Sequence, residues 1–278
     1  MRPLPVTQIL RRYNLQPKKS LGQNFLVDEA ALARVAAAAE LAPDDTVLEI
    51  GPGLGSLTRH LAEAARRVVA VELDAGLLPA LQDVLAPYAN VEVVHGDMLK
   101  LAPAALDLAP GYKVVANIPY YITSALLRHL LEAPAPPARL VLTVQREVAE
   151  RICAEPGALS LLAVSVQFYS RPRIVARIPA GAFHPRPEVD SAVVRLDVLP
   201  EPAAAVADVD DFFRVVKAGF SQKRKQLRNA LAAGLQLEPA ELERRLAGSG
   251  VDLTRRAETL TLAEWGAVAT ACLRPATR

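Results

Sequence analysis

The sequence predicts a doubly wound α/β sheet followed by a small all-helical C-terminal domain. Three observations carry this. Short β-branched runs alternate with stretches of helical period over the first two-thirds of the chain, which is how parallel βαβ units read. A glycine-rich turn, Gly51, Gly53 and Gly55 in "VLEIGPGLGSL", joins the first of these strands to a helix. Beyond the Pro/Ala-rich "LPEPAAAVADV" every remaining segment has a helical period. For 278 residues this gives one large core at 1–202 and an appended domain at 203–278.

Taken in order, "EAALARVAAAAEL" is helical, "TVLEI" a strand, "SLTRHLAEAA" helical and "RVVAVEL" a strand. Then "GLLPALQDVLAPY" is helical, "VEVVHGD" and "KVVANI" are strands, "SALLRHLLEA" is helical and "RLVLTV" a strand. "REVAERI" and "LSLLAVSVQFY" follow, and "RIVARIP" and "DSAVVRLDVL" are expected to pair antiparallel at the sheet's edge. The C-terminal helices are "DDFFRVVKAGF", "KQLRNALAAGL", "PAELERRLA" and "LAEWGAVATACL".

Composition excludes several classes. With 51% hydrophobic and 22% charged residues the chain reads as an ordinary globular protein. Its longest uncharged run near the middle, Gly157 to Ser170, is too short for a bilayer and reads as a core helix. "MRPLPVTQILRRY" has no signal-peptide core. Cys153 and Cys272 stand far apart, and His60, His95, His129 and His184 form no ligand spacing, so neither a disulfide nor a metal is expected. A cytoplasmic protein without a membrane partner is the expectation.

Net charge is only +2, but the cations are grouped. No acid precedes Asp28, whereas Arg2, Arg11, Arg12, Lys18 and Lys19 do. Phe212 to Leu237 is likewise free of acids and holds Arg214, Lys217, Lys223, Arg224, Lys225 and Arg228. Each cluster reads as a polyanion-binding face or as a solvated surface.

Four strand ends converge on one rim of the sheet. The Gly51–Gly55 turn departs from the dinucleotide pattern G-x-G-x-x-G, because Ser56 stands at its last position. The second strand ends in Glu72, where an acid grips a ribose diol, and the third in Asp97, placed to accept from an adenine amino group. The fourth ends in Asn117, and Pro119, Tyr120 and Tyr121 follow at once. A pyrophosphate would not call for three successive polar strand ends. A nucleoside joined to a cationic sulfonium, S-adenosylmethionine, would.

With "NIPY" (Asn117 to Tyr120), "KKSLGQNFL" (Lys18 to Leu26), "VAVELD", "HGDM", "QREVAERI", "FHPRPEVDSAVVRL" (Phe183 to Leu196) and "FSQKRKQLRNAL", the chain resembles the ribosomal RNA adenine N6-dimethyltransferases over nearly its whole length. The resemblance implies a Rossmann-like class I methyltransferase sheet. It also implies an S-adenosylmethionine-dependent enzyme that methylates N6 of two adjacent adenosines near the 3′ end of small-subunit rRNA. The expected partner is an immature 30S particle, met by a monomer. By motif position Asn24 and Leu26 would close over the cofactor, Gly51 lie under it, Glu72 hold its ribose, Asp97 its adenine, and Asn117 face the reacting centre. Lys18, Lys19, Lys217, Lys223, Arg224, Lys225 and Arg228 would contact RNA.

The residues support a mechanism of positioning. An exocyclic adenine amine is a poor nucleophile because its lone pair is conjugated into the ring. The Asn117 side-chain oxygen and the Ile118 backbone carbonyl, presented by the bend at Pro119, can accept its two N–H groups and aim the lone pair. Aromatic faces would offset the stacking lost by a swung-out base, by about 1–3 kcal/mol each. Tyr120 is the first candidate and Phe183 the second, with core packing the alternative for Phe183 and the preferred reading for Tyr121. Asn117 has the alternative of a helix cap. Competing functions are a large-subunit methyltransferase of the erythromycin-resistance type, a non-catalytic ribosome-assembly factor and a dinucleotide-linked oxidoreductase.

Overall fold

A computed structural model of the chain describes residues 1–119 and 122–273. They form two compact units: Met1–Ala149 with Pro172–Val198, and Glu150–Arg171 with the chain from Leu199 onward.

The first unit is built on a sheet. Its strands are β2 (Thr46–Ile50), β3 (Arg67–Glu72), β4 (Val91–His95), β5 (Lys113–Asn117), β6 (Arg139–Gln145), β7 (Ser170–Ile178) and β9 (Ser191–Val198). Among the described residues they lie in the order β4-β3-β2-β5-β6-β9-β7. Neighbours from β4 to β6 are parallel, and β6 pairs antiparallel with β9, Arg139 opposite Asp197 and Gln145 opposite Ser191. All five residues of β2 are buried, as is the run Val68 to Glu72, because both faces of a central parallel strand are covered by helices. The expected edge pair is present, with β9 on the inner side and β7 outermost.

The order reverses between β2 and β5. From β2 the chain steps to β3 and β4, then returns to the other side of β2 for β5. Such a switch point leaves a crevice outside the carboxyl ends of the strands.

Helices α2 (Glu29–Ala38), α3 (Ser56–Ala64), α4 (Leu78–Leu85) and α5 (Thr123–Leu131) cover the sheet. The Asp28 carboxylate starts α2 by accepting from the Ala31 amide at 2.7 Å. Leu32, Val35, Leu57 and Leu61 pack with Val47, Val68 and Val115, each burial stabilising by about 1.5–3 kcal/mol. Two features escape sequence periodicity. Helix α1 (Val6–Arg12) buries Val6 and Leu10 against Phe25, Leu54, Leu77 and Ala80. The two-residue strands β1 (Phe25–Leu26) and β8 (Phe183–His184) pair antiparallel, with Leu26 opposite Phe183.

Charges gather at the amino ends of the strands. Lys113 pairs with Asp45 at 2.7 Å, Arg139 with Asp197 at 2.7 Å and with Glu40 at 3.0 Å. Arg195, only 6% exposed, reaches Asp197 at 3.0 Å and Glu40 at 2.5 Å. The hydrogen bond from Arg195 holds the Glu40 carboxyl down at about 2, against the pull of partial burial.

The second unit is helical: α6 (Arg146–Ile152) runs into it, and α7 (Leu161–Tyr169), α8 (Val209–Phe220), α9 (Leu227–Leu235), α10 (Pro239–Leu246) and α11 (Leu262–Leu273) build it. Phe168, Phe212 and Trp265 fill its core, with the Phe168 and Phe212 rings stacked at 4.5 Å. Residues 150–171 thus pack with the C-terminal helices although they precede the Pro/Ala-rich stretch. The uncharged Leu161–Phe168 run has little polar face of its own and is covered by that core. Helices α8 and α9 approach so closely that a β-carbon at Gly234 would lie 2.6 Å from that of Ala218. Among the described residues no helix is long and apolar enough to cross a membrane, and no group of metal-ligating side chains occurs.

Candidate active site

A cavity of about 200 Å³ opens at the carboxyl ends of β2 to β5. Gly51 to Leu54 line it after β2, Glu72 and Leu73 after β3, Gly96 to Leu99 after β4, and Asn117 to Pro119 after β5. The segment Leu21 to Leu26 supplies a further wall.

Glu72 is 5% exposed, with one backbone donor on each oxygen: the Asp74 amide on Oε1 at 2.7 Å and the Gly53 amide on Oε2 at 3.0 Å. Burial pushes its pKa up, helped by the Asp74 charge, and the amides of Asp74, Gly53 and Leu73 oppose that rise. The carboxylate is thereby fixed in orientation while lone pairs remain for a ligand's hydroxyls. The turn beneath it needs glycine. Gly51 has φ +69° and Gly53 φ +61°, and a β-carbon on Gly53 would meet the Phe25 ring at 3.0 Å. On Gly51 it would enter open space at the cavity wall.

Asp97 is partly buried. Its Oδ1 accepts from the Leu99 amide at 3.1 Å, and Oδ2 lies 3.5 Å from Lys100 Nζ. Asn117 donates through Nδ2 to the Asn24 carbonyl at 3.1 Å. That bond fixes the amide's orientation and leaves Oδ1 as an acceptor without a partner among the described residues. Asn24 is held in turn, its Nδ2 on the Gly22 carbonyl at 3.2 Å. Leu26, Ile118 and Pro119 line the same cavity, and Tyr120 and Tyr121 lie outside the described residues.

The remaining expectations are distributed differently. Phe183 does not reach the cavity. It is 4% exposed, sits opposite Leu26 and packs among Leu32, Val35 and Ile178. Lys18 is exposed along its stem, but its ammonium pairs with Asp74 at 2.6 Å. Lys19 is exposed. In the helical unit Lys217, Lys223, Arg224 and Lys225 are exposed, without ion pairs among the described residues, whereas Arg228 lies 3.7 Å from Glu243.

Two side chains at the site were not singled out from sequence. Glu49, 1% exposed on β2, lines the cavity with an Oε2 that has no hydrogen-bond partner among the described residues. Burial pushes its pKa up to about 8, and the Glu72 charge adds to the rise. Its signal was an acid inside the apolar run "VLEI". Asp74, 6% exposed, gathers Lys18, Gln23 Nε2 at 2.8 Å and the Gly76 amide at 3.0 Å. Burial raises its pKa, but these three donors outweigh burial and hold it below the ordinary value.

The family model of the ribosomal RNA adenine dimethylases matches residues 14–269. The chain belongs to the ribosomal RNA adenine dimethylase family. Among its relatives in this family is the ribosomal RNA small subunit methyltransferase A of Dehalococcoides mccartyi strain CBDB1, 47% identical over 261 residues, covering 93% of this chain and 89% of the relative. The protein of the same name from Moorella thermoacetica is 46% identical over 271 residues, 94% of each chain. The solved 23S rRNA methyltransferase ErmE is 32% identical, with a TM-score of 0.71 over 90% of this chain and all of that one. A dimethyladenosine transferase from Plasmodium falciparum, 24% identical, shares the fold with a TM-score of 0.75 over 88% of this chain and 95% of its own. Among the dimethylases, then, the rim that carries Gly51, Glu72, Asp97 and Asn117 belongs to a shared methyltransferase fold.

Proposed function

We propose that this dimethylase transfers methyl groups from S-adenosylmethionine to N6 of two adjacent adenosines near the 3′ end of small-subunit rRNA, as a cytoplasmic monomer acting on an immature 30S particle. The observation that carries the reading is the Asn117–Asn24 hydrogen bond, which turns the Asn117 amide so that its oxygen is left to accept from an amine at the cavity's rim. The names of the relatives at 45–47% identity support the small subunit as the substrate.

The residues present fit S-adenosylmethionine. Glu72 keeps acceptor capacity on both oxygens for a ribose diol, and Asp97 lies one strand further, as an adenine contact requires. The buried, unpartnered Glu49 oxygen suits a cationic group, and the bare face of Gly51 allows close approach of a ligand to the backbone. Asn24 and Leu26 close the wall from the N-terminal side. When bound, the sulfonium supplies an electrophilic methyl.

The protein's own part is to hold and aim. Asn117 Oδ1 accepts an N–H of the target amine, and the Ile118 carbonyl is the second acceptor. Drawing both hydrogens to one side pyramidalises the nitrogen and frees its lone pair. After one transfer a single N–H remains, which Asn117 keeps while the backbone acceptor is released. Proton loss follows transfer, so no general base is needed. Lys19, Lys217, Lys223, Arg224, Lys225 and Arg228 steer the rRNA backbone and make binding salt-dependent.

The test is incubation of the protein with labelled S-adenosylmethionine and undermethylated small subunits, with protein-free 23S rRNA in parallel and mapping of the modified bases. Two dimethylated neighbours near the 3′ end of 16S rRNA are expected. Label on 23S rRNA alone, or on neither, overturns the proposal.

A further inference from the structure

Asp74 is buried beside the cavity yet contributes nothing to its lining. As the cap of the short turn Ala75–Leu77 it needs one acceptor, and Oδ1 meets the Gly76 amide at 3.0 Å. Its remaining bonds reach more than fifty residues back along the chain, to Lys18 at 2.6 Å and to Gln23 at 2.8 Å. These two residues are themselves tied, the Lys18 amide donating to Gln23 Oε1 at 2.8 Å. Both polar ends of the Gln23 side chain are therefore engaged. The segment is drawn into a loop with Asp74 as its anchor, and the next residue along is Asn24, whose carbonyl receives the Asn117 amide. On the other side, the Asp74 backbone amide fixes Glu72 Oε1 at 2.7 Å.

We propose that Asp74 is a positioning residue for methyl transfer. Its carboxylate latches the 18–26 segment, and the latch sets where the Asn24 carbonyl, and through it the acceptor oxygen of Asn117, lies. This rests on the reading of Asn117 as the amide that faces the target amine. Within the wall segment Gly22 adopts φ +62°, and the two-residue ladder of Phe25 and Leu26 secures only the segment's far end. Oδ1 accepts the turn amide and the lysine while Oδ2 accepts the glutamine; asparagine keeps Oδ1 for the turn, loses the charge that holds Lys18, and sets a donor against the Gln23 amide.

The experiment compares Asp74→Asn, which keeps the turn cap, with Gln23→Leu, which breaks the latch and leaves Asp74 intact. Amide hydrogen exchange is read on the full chain without cofactor. Affinity for S-adenosylhomocysteine is measured by calorimetry, and kcat on undermethylated small subunits. Both variants are expected to raise exchange at residues 18–26 with α4 unchanged. Both are expected to lower kcat about tenfold, since small misplacements of reacting groups are costly, while the affinity falls less. Unchanged exchange at 18–26 in both variants overturns the latch. Increased exchange with kcat unchanged, or with the whole loss in affinity, overturns the positioning role. Inactivity of the unaltered protein counts against the parent function, and the exchange measurement still decides the latch.

Discussion

The two ends of the same sheet treat their carboxylates in opposite ways. At the amino ends of the strands Glu40, Asp45 and Asp197 are each matched to Lys113, Arg139 or Arg195; burial raises them, but the hydrogen bonds and charges of these cations, joined at Asp45 by the Ala42 amide, hold all three below their ordinary values. At the carboxyl ends Glu49 and Glu72 are buried without a cation and are pushed upward, with Asp74, paired to Lys18 and held low, the exception just outside the cavity lining. A carboxylate left unpaired in a cavity is costly to the fold. The contrast locates function: one end is arranged for stability, the other holds acceptors in reserve for a ligand.

The sharpest way to break this comparison is at Asn117. Asn117→Ala should slow single-turnover methylation by about 10²–10³-fold, in the range for loss of a preorganised polar group, with the melting temperature unchanged. Glu72→Ala follows, with an expected loss of about 10–100-fold in affinity for S-adenosylhomocysteine by calorimetry, the size of hydrogen bonds to a charged group. At the other end Arg195→Met should cost about 1–3 kcal/mol in denaturant titration and leave kcat intact. A matching fall in kcat would mean that the two ends are not independent.

Glu49 sharpens the same point through pH. Its folded value of about 8 lies above the ordinary 4.5, so the folded state holds a proton that the unfolded state releases. Stability should therefore fall as pH rises between these values, by about 1 kcal/mol per pH unit at most, and Glu49→Gln should flatten that slope in urea titrations. Glu40 has the opposite sign. Held at about 2 against an ordinary 4.5, it contributes stability that is present above 4.5 and lost as pH falls through about 2. Glu40→Gln should remove that acid sensitivity in melting curves, a small effect because the group is exposed and screened.

Much of this was legible from residue order. The parallel strands show as β-branched runs, and the rim shows because each of Gly51, Glu72, Asp97 and Asn117 ends or follows a strand. Glu49 was overlooked because an acid in a strand is ordinarily taken to face solvent, whereas both faces of β2 are covered. The pairing of Phe183 left no signal because its partner, Leu26, lies far off in sequence and the ladder joining them is two residues long. Lys18 reads as a free cation until Asp74 is brought to it by folding. Contacts of that kind have no period and leave no local signature.

The ladder between Leu26 and Phe183 also bears on the order in which a ribosome would release a working pocket. Every strand end that lines the cavity has emerged by Asn117, yet the residues that register its N-terminal wall arrive some sixty positions later. A nascent chain of intermediate length owns the floor of the pocket and the Asp74 anchor, with the far end of the wall still unpaired. Pairing of the wall's far end is thus completed late in synthesis, together with the antiparallel strand β9 that flanks β6.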